Sequence, residues 1–423
     1  MRRLSVLAVT LCAVFTASTF VGAQQTPPAP PQAPATAAPA AGRQGGRGNP
    51  PVRSADVAAD GRVTFRLRAP NAQTVAVAFG QRQMPMQKDA QGVWSVTTDP
   101  MNPDIYTYSI VVDGATINDP NTRQVQTSFG SFQSMVVVPG DKPWLPQANV
   151  PRGAITKHAF HSAIANDDRE FYVYTPAGYD VKRRKAYPVL VLLHGLGDDG
   201  ERWLAGGGGA NNIFDNLIAQ GTAVPMVVVA TLGYGTSQGP AGGRLAQNIL
   251  GYEQILFREV MPMVEKSYHV SDAREDRAIA GLSMGGATSL YVGLRNLDRF
   301  AWIGAFSSAL LLFPPAIDLA AAQPPAPAPA GGRGAQAPQT VDPSVFAKTF
   351  PALDAKSNSK IRMLWIACGL DDNLIAQNRQ FKEWLRSKNV TFTEQEVPNM
   401  AHVWPLWRQN LTDVAQLLFQ GRK

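Results

Sequence analysis

Two hydrophobic rhythms run along the chain. Between 56 and 145, short runs alternate apolar and polar residues (GRVTFRLRAP, QTVAVAFG, GVWSVTTD, IYTYSIVVDG, SFQSMVVVPG), with Gly, Pro, Asn and Asp between them. A period of two marks strands with one buried face, and the close spacing predicts a small all-β sandwich over 55–145. Its aromatics Trp94, Tyr106 and Tyr108 either pack that sandwich's core or stack on a sugar ring, and packing is the expectation. From about 153 the rhythm changes. Near-continuous apolar runs (EFYVYTP, YPVLVLLHG, PMVVVAT, DRAIAGLS, AWIGAFS, IRMLWIACG) and the more polar TFTEQEV alternate with helical runs (NIFDNLIAQ, ILFREVMPMVEKSY, GATSLYVGLRN, NRQFKEWLRSK, WPLWRQNLTDVAQLLFQ). Strands buried on both faces and alternating with helices predict an α/β domain over 153–421: a mostly parallel sheet with helices on both faces. In such sheets ligands bind at the carboxyl ends of the strands, so those ends hold the candidate chemistry.

Three segments stand outside these rhythms. Residues 1–23 begin with Arg2 and Arg3, continue through the apolar LSVLAVTLCAVF and end in VGA, the pattern of a cleavable secretory signal. The apolar run is short for a membrane span, so no stable membrane insertion is expected after cleavage, and the mature chain should be secreted or periplasmic. Residues 24–54 are a Pro/Ala/Gln/Gly linker too poor in large apolar groups to build a core. A similar low-complexity stretch within 314–343 reads as a long surface insertion, because strands of one sheet lie on both sides of it.

Charge alters this picture less than it first suggests. The formal net charge is +7, from 39 basic and 32 acidic residues, but residues 1–55 hold five arginines and no acid. What remains is 34 basic against 32 acidic groups, so a nucleic-acid partner is not expected. Of the two cysteines only Cys368 lies beyond the signal segment, which excludes an intramolecular disulfide in the mature chain.

Two stretches read G-x-S-x-G, GTSQG at 235–239 and GLSMG at 281–285. Ser283 directly follows the apolar strand RAIAG and precedes a helix, the strand–turn–helix context in which a serine becomes an exposed nucleophile. The Met284 N–H then opens that helix, where its dipole favours an oxyanion. Ser237 has no helix close behind it and Pro240 nearby, and reads as a loop serine.

A serine needs a base. Of the five histidines, His158 and His161 precede the sheet, His269 enters the strand that leads to Ser283, and His194 opens the loop HGLG. His402 follows the last strand and precedes the last helix, which places it at a carboxyl-end loop as the base. The strand IRMLWIACG ends in LDDNL, offering Asp371 or Asp372 to orient His402. The order Ser, Asp, His is that of an α/β-hydrolase, and spacing does not choose between the two aspartates. A second oxyanion donor is the Leu196 N–H in the Gly-rich turn LLHGLGDDGERW.

Together LLHGLGDDGERW, GGANNIFDNLIAQG, YEQILFREVMPMVEKSYHVSDAREDRAIAGLSMGG, GLRNLDRFAWIGAFS, IACGLDDNL and MAHVWPLW resemble carbohydrate esterase family 1, and most of all its feruloyl-esterase modules. The resemblance implies a serine esterase acting on feruloyl or acetyl groups of a plant polysaccharide such as xylan. Ser283 would be the nucleophile, Asp372 the acid and His402 the base, with no metal and no organic cofactor. Residues 55–145 resemble carbohydrate-binding module family 48. A similar sandwich precedes the hydrolase domain of enterochelin esterases, and mycolyl acyltransferases use the same triad. MAHVW lacks the Gly that often stands before the family's histidine, and the 314–343 insertion has no clear counterpart there.

Overall fold

The computed structural model describes residues 51–80, 82–236, 245–316 and 340–421. The signal segment, most of the 24–54 linker, Ser237 and the centre of the 314–343 insertion lie outside them. Among the described residues no helix is long and apolar enough to cross a membrane.

Alternation builds two antiparallel sheets at the N-terminal end. Val63, Phe65 and Leu67 of Val63–Arg68 face inward while Thr64, Arg66 and Arg68 face out. One sheet runs Asp56–Val57, Val63–Arg68, Val93–Thr97, Gln87–Lys88. The other centres on Asp104–Val112 and ends in the hairpin Val125–Ser128/Ser131–Val138. Their shared core holds Phe65, Val77, Ile110 and the aromatics Trp94 and Tyr108. Trp94 donates its indole N–H to the Ala69 carbonyl at 2.9 Å, and the Tyr108 hydroxyl donates to Asp119 at 2.8 Å. Both rings are therefore core residues with their polar tips satisfied, which removes them as sugar platforms.

The second half forms an eight-stranded sheet. Its strands are β1 (Ala154–Ser162), β2 (Asp167–Thr175), β3 (Val189–Leu193), β4 (Val227–Thr231), β5 (Arg277–Leu282), β6 (Trp302–Phe306), β7 (Met363–Gly369) and β8 (Thr393–Val397), in the order β1-β2-β4-β3-β5-β6-β7-β8. β2 pairs antiparallel with both β1 and β4, and the pairings from β4 through β8 are parallel. Every residue of β3, β5 and β7 is buried, as a sheet covered on both faces requires. On one face lie α2 (Leu245–Ile255), α3 (Met261–Ser267), α4 (Met284–Arg295), α5 (Ser344–Thr349) and α6 (Ile375–Ser387), around Tyr252, Leu290, Phe346 and Phe381. On the other lie α1 (Ala210–Ala219) and α7 (Trp404–Leu417), around Phe214, Leu406 and Val414. Residues 255–268 read as one helix in sequence, yet the helix already starts at Leu245 and a π-turn at Leu256–Val260 interrupts it. Pro262 has no N–H to give the preceding turn, and the wider turn absorbs that missing bond. Val52–Lys423 forms one unit, sandwich and sheet together.

Candidate active site

The carboxyl ends of β3, β5, β7 and β8 converge on one cleft. It measures about 320 Å³ and is lined by Gly195, Leu196, Asp198, Leu282, Ser283, His402, Val403, Trp404 and Trp407. A larger cavity of about 560 Å³ lies between the end of α4 and residues 349–360, far from any of these strand ends.

Ser283 sits between β5 and α4 with φ 54° and ψ −115°, a conformation that side chains with a Cβ rarely adopt. The surroundings enforce it. The Ser283 N–H donates to the Phe306 carbonyl at 2.8 Å, and its own carbonyl accepts from the N–H groups of Ala287 and Ala309, both at 3.0 Å. The flanking glycines allow the turn. A Cβ on Gly281 would lie 2.6 Å from the Gly285 backbone, and one on Gly285 would lie 2.7 Å from the Leu193 carbonyl. Only bare backbone at both positions lets α4 start this close to the end of β3.

His402 lies in the loop between β8 and α7, with its side chain about one-third exposed. Its Nδ1 is 2.9 Å from Asp372 Oδ2, and its ring meets the edge of Trp407 with centroids 4.8 Å apart. Trp407 is fixed in turn by its indole N–H, which donates to Ser307 Oγ. Asp372 is buried, and its Oδ1 accepts the Leu374 N–H at 2.9 Å. Burial pushes the Asp372 carboxyl up, but hydrogen bonds from His402, Leu374 and Ser307 outweigh it and hold the group below its ordinary value. Asp371 points to solvent, so of the two adjacent aspartates it is Asp372 that meets His402. Gly369 permits the meeting, because a Cβ there would collide with the Met400 carbonyl on the loop that carries His402.

The other histidines are spent elsewhere. His158 contacts the Tyr268 hydroxyl, His161 pairs with Asp168, and His269 contacts the Arg183 carbonyl. His194 is buried at the end of β3. Its Nε2 accepts the Gly233 N–H at 2.8 Å, so Nδ1 carries the proton and donates to the Gly195 carbonyl at 2.7 Å. Burial lowers its pKa to about 4 and keeps the ring neutral.

Past His194 the chain turns through Gly195–Leu196–Gly197. Leu196 N–H takes no backbone partner among the described residues. Met284 is the first residue of α4, so its N–H has no intrahelical acceptor. Gly285 packs on the His194 carbonyl, which makes the start of α4 a neighbour of the Gly195–Gly197 turn. Among the described residues no group of three or more His, Cys, Asp or Glu side chains is placed to hold a metal ion.

Sequence reasoning passed over Asp198. It lines the cleft, and burial raises its pKa to about 6, with Arg202 and a Ser128 hydrogen bond opposing. Between pH about 4 and 6 the folded chain keeps this proton while the unfolded chain releases it, so this group makes stability fall as pH rises through that window. Asp198→Asn has no proton to lose. Its Tm, measured against wild type, should gain by the equivalent of about 2–3 kcal/mol between pH 4 and 6.5. Parallel Tm curves across that range would show that Asp198 titrates like an ordinary carboxylate.

The Esterase family model matches residues 162–418. The chain belongs to the esterase family. Over 379 residues, 86% of its length, this esterase is 28% identical to an endo-1,4-beta-xylanase/feruloyl esterase of Xylanibacter ruminicola. It spans 46% of that relative. Among solved structures, a ferulic acid esterase of Anaeromyces mucronatus matches 66% of the chain and 96% of its own, with TM-score 0.51 and 24% identity. The enterobactin esterase of Shigella flexneri matches 85% of the chain and 93% of its own, with TM-score 0.57 and 18% identity. The fold is that of an α/β-hydrolase, preceded by a β-rich region.

Proposed function

We propose that this esterase is an exported serine hydrolase that removes feruloyl or acetyl groups from a plant polysaccharide such as xylan. The observation that carries the chemistry is the buried Asp372 carboxylate paired with His402 Nδ1, in a cleft whose wall includes the strained Ser283. That pairing puts the Nδ1 proton toward Asp372 and leaves Nε2 as the basic nitrogen. His402 takes the Ser283 hydroxyl proton as Oγ attacks the ester carbonyl. The Leu196 and Met284 N–H groups hold the negative oxygen that forms. Collapse of the intermediate breaks the carbonyl–oxygen bond to the sugar, and the alkoxide leaves with the proton from His402. Water, deprotonated by His402, then attacks the acyl-serine and releases the acid and the free serine. The serine proton leaves on the sugar alcohol and a proton from water, relayed by His402, replaces it, so the cycle balances without a cofactor.

The polysaccharide substrate is supported by the xylanase/feruloyl esterase relative, and export by the signal-like pattern of residues 1–23. A siderophore ester is a second reading, supported by the Shigella flexneri enterobactin esterase, whose match extends over more of the chain than the sheet domain occupies. The test is turnover by purified 24–423 of feruloylated xylan fragments, acetylated xylan and a catecholate trilactone. Release of ferulate or acetate with kcat/KM above that for the trilactone is expected, and the reverse ranking would replace the first reading by the second.

A further inference from the structure

The sandwich reaches the cleft through one hairpin turn. Three consecutive residues of that hairpin meet three consecutive residues of the loop that carries Leu196. Thr127 Oγ1 donates to Asp199 Oδ1 at 3.3 Å, Ser128 Oγ donates to Asp198 Oδ1 at 3.3 Å, and the Phe129 N–H donates to the Gly197 carbonyl at 2.8 Å. Arg202, in the same loop, returns a bond from Nη1 to the Thr127 carbonyl at 3.1 Å. From below, the buried Tyr234 hydroxyl accepts the Gly197 N–H at 2.7 Å and donates to the Asp198 carbonyl at 3.2 Å. The Phe129 ring meets the Tyr234 ring edge-on with centroids 5.4 Å apart. Gly197 has φ 87°, and its turn is closed from within by one bond, from the Asp198 N–H to the Gly195 carbonyl at 3.2 Å.

The rest of the contact makes this docking rigid. The glycine run at 206–209 lies where the sandwich presses in. A Cβ on Gly206 would collide with Thr127 Oγ1, and one on Gly207 would sit 2.8 Å from Met135 Sδ. Arg408, on α7 one turn past Trp404, is almost fully buried. Its Nη1 donates to Asp104 Oδ1 of the sandwich at 2.9 Å, while Nε and Nη2 donate to the Gly208 and Gly207 carbonyls at 3.1 and 3.0 Å. The same Asp104 oxygen accepts the Trp144 indole N–H at 2.9 Å. A buried charge so fully bonded leaves the interface little freedom to slide.

We infer that the sandwich is a positioning element of the hydrolytic site: its Thr127–Phe129 turn holds the Gly195–Asp199 loop so that the Leu196 N–H faces the developing oxyanion. This rests on the serine-esterase reading above. An oxyanion donor works only if it is aimed before charge develops, and beyond its one internal bond the Gly-Leu-Gly turn is held from outside, by Phe129 and Tyr234 on Gly197. The hairpin acts through Leu196 and needs no contact with substrate.

The test uses p-nitrophenyl acetate, whose small size makes any sugar-binding role of the sandwich irrelevant. The double variant T127V/S128A should lower kcat about tenfold with KM within about twofold of wild type. The inhibition constant of phenylboronic acid, which forms a tetrahedral adduct on the serine, should rise by a similar factor. Tm should stay within about 2 °C, and S128T, which keeps a hydroxyl, should retain wild-type kcat. Unchanged kcat beside a lowered Tm would overturn the inference in favour of a purely structural interface, and a rise in KM alone would overturn it in favour of substrate binding. An active wild type with unaffected variants overturns this inference alone. A wild type inactive on every ester overturns the serine-esterase reading, and the inference falls with it.

Discussion

Replacing Ser283 with Ala is expected to lower kcat for ester hydrolysis by about 10⁴–10⁶-fold, roughly 5–8 kcal/mol of barrier. Among the described residues that line the cleft, Ser283 carries the only hydroxyl. Substrate binding should survive, because Trp404, Val403 and Leu196 still line the cleft. Stability separates this replacement from a second one. Ser283 holds φ 54° and ψ −115°, and a residue with a Cβ in such a region costs about 1–3 kcal/mol. Ala keeps the Cβ and therefore the strain, so S283A should melt close to wild type. Gly removes it, so S283G should be as inactive as S283A yet melt a few degrees higher. Calorimetry and a p-nitrophenyl ester assay on the three proteins check both halves. Residual hydrolysis near wild type in S283A would overturn the mechanism, and equal Tm values for S283A and S283G would show that the turn stores no strain.

The strand ends were legible in the sequence because burial on both faces leaves an unmistakable apolar run, and parallel topology then dictates which end faces the ligand. That logic led to the turn after β5 and the loops after β7 and β8 from single residues many positions apart. It could not say which of Asp371 and Asp372 turns inward, since neighbouring side chains at a strand end diverge and the deciding contact is with a loop thirty residues on. Trp407 escaped notice because a tryptophan in the first turn of an amphipathic helix reads as core, which it also is. Asp198 and the Thr127–Phe129 turn were hidden more deeply. Their meeting joins two domains across some seventy residues, and no local period records it. One trace was present in the run of glycines at 206–209: Gly209 caps α1 with φ 83°, but Gly206 and Gly207 lie where Thr127 and Met135 of the sandwich press in. The sandwich aromatics are the opposite case, because the expected core packing holds for Trp94 and Tyr108. Trp94 and Tyr108 are chemically suited to a sugar, but their alternation already marked them as inward-facing.

Asp372→Asn is expected to lower kcat by about 10³–10⁴-fold while leaving the fold intact, and the reason lies in a single backbone N–H. Asp372 Oδ1 accepts from Leu374 N–H at 2.9 Å, so the replacement amide must keep its oxygen on that side. Its NH₂ then occupies the place of Oδ2, 2.9 Å from His402 Nδ1. A donor there demands an acceptor, which drives the His402 proton from Nδ1 to Nε2, the nitrogen that should receive the serine proton. The base is thus present, correctly placed and in the wrong tautomer. The opposite amide orientation would restore the tautomer, but it would set the NH₂ against the Leu374 N–H in a buried site, a clash of donors worth about 1–3 kcal/mol. Both orientations carry a penalty, so the variant has no route back to full activity. Asp372 also loses a carboxylate that its hydrogen bonds keep ionised well into acid. In wild type that depressed group contributes stability above its unfolded pKa, which fades as pH falls through the folded value. D372N should therefore lose this acid-side slope, with its stability less sensitive to pH below about 4. Steady-state kinetics of D372N on p-nitrophenyl acetate, with ¹⁵N spectra of its histidine ring nitrogens, provide the check. Full activity, or a ring proton that stays on Nδ1, would show that Asp372 does not set the tautomer of His402.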